Sequence, residues 1–158
     1  GVQTCALPIL PDTEKKIVMI RLKTTVKQND DTETFEFNVG GELLIKQHAI
    51  FLRYTEIIAD QSPTQVLFKF EKDAVRLHRV GDSTTKLTFA LAQRLPAYYQ
   101  TPAGQMQLMT DTKMMTVDVD LTQTQGTLAL SYQLYAHDTI VGEYDIQLQF
   151  ADKSSKLN

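Results

Sequence analysis

The chain has 158 residues, of which 42% are hydrophobic and 22% charged, the length and composition of one globular domain. Its formal net charge of −3 leaves no basic excess to neutralise a phosphate backbone, so we expect no nucleic-acid partner. A single cysteine cannot form an intramolecular disulfide, and apolar runs such as Ile17–Ile20 are far too short to span a membrane. We therefore expect a cytoplasmic protein with no membrane association.

Residues 1–9 form an unusual start, with no methionine and with the chain's one cysteine, Cys5. No second cysteine or other ligand stands at a metal-binding spacing from Cys5. Back-translation of Gly1–Ile9 reproduces a widely used short-read sequencing adapter. We therefore interpret residues 1–9 as an assembly artefact rather than native protein, and residues 10–15 as a lead-in to the first strand.

From Lys16 onward, apolar and polar residues alternate with the period of two that is typical of half-buried strands. Ile20–Val26 and Phe35–Val39 are two such stretches, and the polar link Gln28–Asp31 between them predicts a hairpin turn. Gly40–Gly41 then breaks the alternation, so we expect the second strand to end there. Residues 43–45 and 50–54 predict two further strands.

The same alternation continues to the end of the chain, at residues 66–70, 75–79, 87–89, 106–108, 115–119, 128–134 and 144–150. Turn residues separate most of these stretches, and no amphipathic helix of three turns is visible. About ten short strands, each with one apolar and one solvent-exposed face, predict an all-β protein. We expect a single antiparallel, mostly meandering β-barrel. We expect this barrel to occupy residues 16–151, followed by a polar tail at residues 152–158.

The segment Tyr98–Gly104 is the most distinctive stretch of the chain. Its Tyr-Gln-Thr-Pro-x-Gly run resembles the YwiB-like family of bacterial proteins, a domain of unknown function. Three other stretches agree with that family in the same order, namely Phe51–Glu56, Leu77–Gly81 and Gly126–Leu134. The resemblance covers residues 17–150 and implies a calycin-type, lipocalin-like barrel. Ala103 stands where the family is expected to have an aromatic residue, which indicates looser packing of that turn.

No set of residues with mutual catalytic or metal-binding roles is visible. His48, His78 and His137 lie on three different predicted elements, without pairing at a ligand spacing. Asp118 and Asp120 alternate with apolar residues, as on the solvated face of a strand. We therefore expect no metal, no cofactor and no enzymatic activity. The chain lacks the Gly-x-Trp start of the true lipocalins, so their functions are not carried over.

Arg79 is the most informative candidate for a binding site, because the period of two places it on the inward face with Val75 and Leu77. An arginine directed into a barrel must find a carboxylate, a carbonyl or water, since an unpaired buried charge is very costly. Two roles fit this position. Arg79 binds an anionic group of a ligand, or it closes the barrel mouth by bonding to chain carbonyls.

Five more residues are candidate ligand contacts near the mouth. Tyr54 and Tyr132 occupy inward positions, where each ring can fill the core with its hydroxyl at the rim. Tyr99, Gln100 and Thr101 precede a Pro-Ala-Gly turn, whose shape the proline and glycine explain without any ligand. Loops at barrel mouths also hold ligand contacts, so both interpretations of this turn stay open.

Two functions follow from this sequence. The first is a barrel that binds a small molecule of unknown identity at its mouth. The second is a filled barrel that acts as a structural or protein-interaction module without a ligand, because six phenylalanines can fill the interior: Phe35, Phe37, Phe68, Phe70, Phe89 and Phe150. A cavity of about 300–1,000 Å³ near Arg79 would favour the first function, and a solid core would favour the second.

Overall fold

The computed structural model describes residues 13–153, which form a closed barrel of ten strands and contain no helix that could cross a membrane. The strands are β1 (Glu14–Gln28), β2 (Asp31–Ile45), β3 (Ile50–Glu56), β4 (Thr64–Phe70), β5 (Val75–Val80), β6 (Thr84–Phe89), β7 (Arg94–Thr101), β8 (Gly104–Asp120), β9 (Gln125–Ala136) and β10 (Thr139–Asp152). Each strand pairs antiparallel with its neighbours in the chain, and β1 closes the barrel against β10. The predicted all-β antiparallel barrel is therefore confirmed. The predicted adapter-derived residues 1–9 lie outside the described residues.

The turn between β1 and β2 confirms the hairpin predicted at residues 28–31. Gln28 pairs with Asp31, and the two residues between them, Asn29 and Asp30, have φ angles of 50° and 70°. A type I′ turn needs a positive φ at both central residues, and Asn and Asp adopt it more readily than other non-glycine residues. The sequence of this link therefore favours the observed hairpin directly.

The connections fall alternately at the two ends of the barrel, because neighbouring strands are antiparallel. One end, which we call the mouth, carries residues 29–30, 57–63, 81–83, 102–103 and 137–138; the opposite end carries residues 46–49, 71–74, 90–93 and 121–124. Asp30, Asp60, Asp82 and Asp138 lie exposed in four of the five mouth connections, and these connections contain no lysine or arginine. The mouth therefore has an acidic rim.

β2 continues through Gly40–Gly41, so the predicted end of a strand at this pair is wrong. A Cβ added at Gly41 would stand 2.5 Å from Ile20 Cδ1 and 2.7 Å from the carbonyl oxygen of Arg53. Glycine here permits a close approach of strands rather than a turn. Towards the mouth from Gly41, β2 no longer pairs with β3, because that pairing covers only Glu42–Ile45.

Two stretches of the second half of the chain also differ from the prediction. Residues 94–101 form β7, which no alternation pattern indicated, because Pro96 and the adjacent Tyr98 and Tyr99 interrupt the period of two. The strands predicted at residues 106–108 and 115–119 are parts of one strand, β8. A register shift between Thr112 and Met114 changes which residues face inward, and such bulges break a simple alternation.

The barrel interior is solid towards the opposite end. We call this part of the barrel the filled half. Its fully buried side chains are Val18, Ile20, Leu43, Leu52, Phe68, Val75, Phe89, Leu128, Leu130 and Phe150. Of the six phenylalanines expected in the interior, four are buried. The other two, Phe35 at 43% exposure and the half-buried Phe37, lie on β2 towards the mouth. Filling of the barrel is therefore unequal along its axis.

Candidate functional site

A cavity of about 310 Å³ lies inside the barrel at the mouth. Its lining consists of Thr24, Phe35, Phe37, Glu56, Ile58, Leu77, Arg79, Thr85, Leu87, Tyr99, Tyr132, Leu134, Tyr144 and Ile146. Phe35 and Ile58 are 43% and 37% exposed, so the cavity reaches solvent beside them. Its volume is at the lower end of the range of about 300–1,000 Å³ that is common for small-molecule sites.

An ion pair between Arg79 and Glu56 forms the polar wall of this cavity. Nη1 of Arg79 donates to Oε2 of Glu56 at 3.0 Å, and Nη2 donates to Oε1 at 2.5 Å. The Tyr54 hydroxyl donates to the same Oε2 atom at 3.1 Å. The Glu56 side chain is 1% exposed and that of Arg79 is 34% exposed, so the guanidinium separates the carboxylate from solvent. This bidentate geometry is the strongest form of an arginine–carboxylate contact.

The protonation states of this wall follow from burial and from the neighbouring charges. Burial alone would lower the pKa of Arg79, but the hydrogen bonds and the charge of Glu56 outweigh burial and raise this pKa above its usual value. Burial, followed by the charge of Glu56, raises the pKa of the Tyr54 phenol. At neutral pH the guanidinium is therefore charged, and Tyr54 is a neutral hydrogen-bond donor.

Three tyrosines line the same cavity. The rings of Tyr132 and Tyr144 are stacked with centroids 4.8 Å apart, and Phe89 of the filled half packs against Tyr132 at a centroid distance of 4.6 Å. The Tyr144 hydroxyl accepts a hydrogen bond from Gln28 at 3.3 Å. The hydroxyls of Tyr99 and Tyr132 form no hydrogen bond with any residue in the range 13–153. Burial raises the pKa of Tyr132, so its hydroxyl remains protonated and able to donate.

The structure brings together three of the six predicted ligand contacts, Arg79, Tyr99 and Tyr132, in the cavity lining. Tyr54 is 5% exposed and lies outside the lining, where it holds the Glu56 carboxylate by a hydrogen bond. Arg79 finds its partner in a carboxylate rather than in the chain carbonyls of the predicted mouth closure. Its inward orientation was predicted, and its partner was not.

The remaining two predicted contacts, Gln100 and Thr101, do not line the cavity. Gln100 accepts a hydrogen bond from the exposed Tyr98 hydroxyl at 2.5 Å. The Thr101 hydroxyl donates to the carbonyl oxygen of Gly104 at 3.1 Å and accepts from the amide of Ala103 at 3.2 Å. Gly104 has a φ of 138°, as expected of the glycine in this turn. The bonds of Thr101 stabilise the turn itself.

Sequence reasoning missed Glu56, Thr85 and Tyr144, which all line the cavity. The inward direction of Glu56 could have been predicted, because Glu56 stands two residues after Tyr54 and therefore faces the same side of β3. An inward glutamate near an inward arginine predicts an ion pair. Thr85 and Tyr144 lie in strands with alternating burial, and nothing in the sequence distinguishes them from other inward residues.

Two other features of the described residues do not form a comparable site. Across residues 13–153, no three His, Cys, Asp or Glu side chains lie close enough to hold a metal ion. A larger groove of about 550 Å³ runs over β2, β1, β10 and β9 and includes Arg21, Glu36 and Asn38. Arg21 donates to Asn38 at 3.3 Å in an exposed position, as expected of a solvated outer surface. We therefore take the mouth cavity as the candidate site.

Comparison with known proteins agrees with this architecture. The crystal structure of the ywiB protein from Bacillus subtilis matches with a TM-score of 0.77 at 19% identity, over 89% of this chain and 95% of that chain, which shows a shared fold. In sequence, this chain is 23% identical over 121 residues to the uncharacterized beta-barrel protein YwiB of Bacillus subtilis (strain 168), covering 77% of this chain and 83% of YwiB. Residues 20–148 match the family described as Domain of unknown function (DUF1934). Because this match spans most of the chain and agrees with the predicted resemblance, the protein belongs to the DUF1934 family.

Proposed function

We propose that this protein binds a small, mostly apolar molecule in the cavity at the barrel mouth. The observation that carries the proposal is the composition of the cavity wall. The Arg79–Glu56 pair and the hydroxyls of Tyr99 and Tyr132 are set among apolar side chains such as Leu77. Small-molecule sites commonly combine apolar walls with a few fixed polar groups that orient the ligand.

The energetics of the mouth support binding over a purely structural role. An open cavity forgoes the dispersion contacts that a packed side chain would make. A buried ion pair such as Arg79–Glu56 is often no more stabilising than well-packed apolar residues of similar volume. The open cavity and the buried ion pair therefore both make the mouth less stabilising than a packed apolar interior. A molecule bound in the cavity would supply the missing dispersion contacts.

The alternative function is that of a filled barrel acting as a structural or protein-interaction module without a ligand. Apolar side chains exposed around the mouth favour it, among them Ile57 at 76%, Met106 at 48% and Ile140 at 47% exposure. Exposed apolar patches commonly mark protein interaction surfaces. This alternative does not account for the cavity or for the ion pair in its wall, so we rank it second.

We further propose a cytoplasmic location and a calycin-type, lipocalin-like classification of the barrel. The location is supported by residues 10–158, which contain no cysteine and therefore form no disulfide. The classification is supported by the meandering strand order and by the cavity at one end. The net charge of −3 supports a small-molecule partner over a nucleic acid.

Native mass spectrometry of the full chain purified from bacterial cells, beside a denatured control of the same sample, tests the binding proposal. We expect a co-purifying mass that disappears on denaturation. Leu134→Phe adds volume to the cavity wall and should abolish this mass. The matched control is Leu91→Phe, because Leu91 is 54% exposed at the opposite end, and it should retain the mass.

Two results would contradict the proposal. A mass retained by a folded Leu134→Phe variant would show that the ligand lies outside the cavity, with circular dichroism establishing the fold. A parent chain that stays free of ligand after incubation with a small-molecule extract of bacterial cells would favour the interaction module instead.

A further inference from the structure

We propose that the ligand of the mouth cavity is an uncharged molecule that presents a carbonyl-type oxygen to Arg79 and the tyrosine hydroxyls, and that the cavity disfavours the corresponding carboxylate. This inference rests on the proposed function and names the chemical class that the same cavity takes. It follows from the hydrogen-bond donors, the charges and the rim of the cavity.

Arg79 brings free N–H donors to the cavity wall, whereas the carboxylate in this wall is already occupied by hydrogen bonds. Arg79 has five N–H donors and no acceptor, and two of its N–H groups donate to Glu56, which leaves three without a partner among residues 13–153. The Glu56 carboxylate already accepts three hydrogen bonds, two from Arg79 and one from Tyr54. The hydroxyls of Tyr99 and Tyr132 can each donate or accept, so they can add two further donors towards an oxygen atom of a ligand. A ligand therefore satisfies this wall best with an accepting oxygen atom.

The charge of Arg79 is already balanced. Glu56 binds both Nη atoms, so the pair contributes no net charge to the cavity. A carboxylate that entered would lose hydration among apolar walls without gaining an unmatched positive partner, and this desolvation is far more costly for an ion than for a neutral carbonyl group. Charge balance therefore favours an uncharged ligand.

The rim acts in the same direction. Asp30, Asp60, Asp82 and Asp138 surround the mouth, and the five mouth connections contain no lysine or arginine. A cleft rimmed by one sign of charge lowers the local concentration of ligands of that sign. An anion is therefore disfavoured on its approach as well as inside the cavity.

Titration calorimetry on the full chain at neutral pH, with 3-phenylpropionamide and 3-phenylpropionate as probes, tests the inference. The two probes have nearly the same shape and differ in charge. In the parent chain we expect the amide to bind at least about tenfold more tightly, since loss of carboxylate hydration is uncompensated. Equal or tighter binding of the carboxylate would overturn the inference.

Glu56→Gln is the decisive variant, because it removes the charge that balances Arg79 and keeps the shape of the side chain. The ratio of the affinity for the amide to the affinity for the carboxylate should fall by at least about tenfold. Glu42→Gln is the matched control, because Glu42 pairs with Arg53 at 2.7 Å on the outer surface, and it should leave both affinities unchanged. A preference that stays the same in Glu56→Gln would contradict the charge-balance argument.

Tyr132→Phe gives a second measurement should Glu56→Gln fail to fold. It keeps the stacked ring and removes one donor, so affinity for the amide should fall about three- to tenfold. An unchanged affinity would overturn the role of this hydroxyl. If neither probe binds the parent chain, the carbonyl class is wrong, and the native mass spectra decide separately whether the proposed function fails with it.

Discussion

The two halves of this barrel are built from the same strands and differ in how their inward side chains pack. In the filled half the fit is so close that a Cβ added at Gly126 would stand 2.5 Å from the Phe150 ring. In the mouth half, Arg79 and Glu56 take inward positions and a cavity of about 310 Å³ remains. One half can therefore stabilise the fold, which leaves the other half available for binding.

The pairing of β2 explains where the two halves meet. β2 pairs with β3 only over Glu42–Ile45, although it pairs with β1 along its whole length. Towards the mouth, Phe35 therefore remains partly exposed instead of packing under a neighbouring strand. The short pairing between β2 and β3 therefore leaves room for the cavity at the mouth.

The largest expected effect is a difference in stability between matched leucine truncations in the two halves. Leu52→Ala removes a completely buried side chain of the filled half and should lower the free energy of unfolding by about 4–5 kcal/mol. Leu134→Ala borders an existing cavity and should cost only about 2–3 kcal/mol. Urea denaturation measures both values, and equal losses would contradict the unequal packing of the halves.

A smaller effect compares the ion pair inside the mouth with one on the outer surface. Glu56→Gln leaves the Arg79 charge without its partner and should cost about 2–3 kcal/mol of unfolding free energy, below the full cost for a buried charge because Arg79 is 34% exposed. Glu42→Gln breaks exposed ion pairs with Arg53 and Lys15, so its loss of unfolding free energy should be much smaller. If the two losses are the same, the pair at the mouth behaves as a surface pair.

Local sequence patterns predicted much of the fold and part of the site. Alternation indicated the barrel and the inward direction of Arg79, and the Asn29–Asp30 pair indicated its hairpin. The partner of Arg79 depends on register: Val66 pairs with both Tyr54 and Arg79, which places β3 and β5 at the same level. Register across three strands depends on loop lengths and barrel closure, which alternation does not report.

The role of Gly41 in the backbone could not be predicted from the local pattern either. A glycine pair within a polar-apolar alternation is typical of a turn. Gly41 is instead required by close contacts with Ile20 and Arg53, which lie in other strands. β7 was missed because proline and adjacent tyrosines mask its alternation. In each case tertiary packing decides what the local pattern leaves open.

Leucine methyl NMR of the full chain, titrated with 3-phenylpropionamide, tests the division of the barrel most directly. We predict methyl shifts for Leu77, Leu87 and Leu134, which line the cavity, and no shifts for Leu43 and Leu52 in the filled half. Shifts that spread equally through both halves, or that avoid the three cavity leucines, would contradict a barrel that is packed at one end and binds at the other.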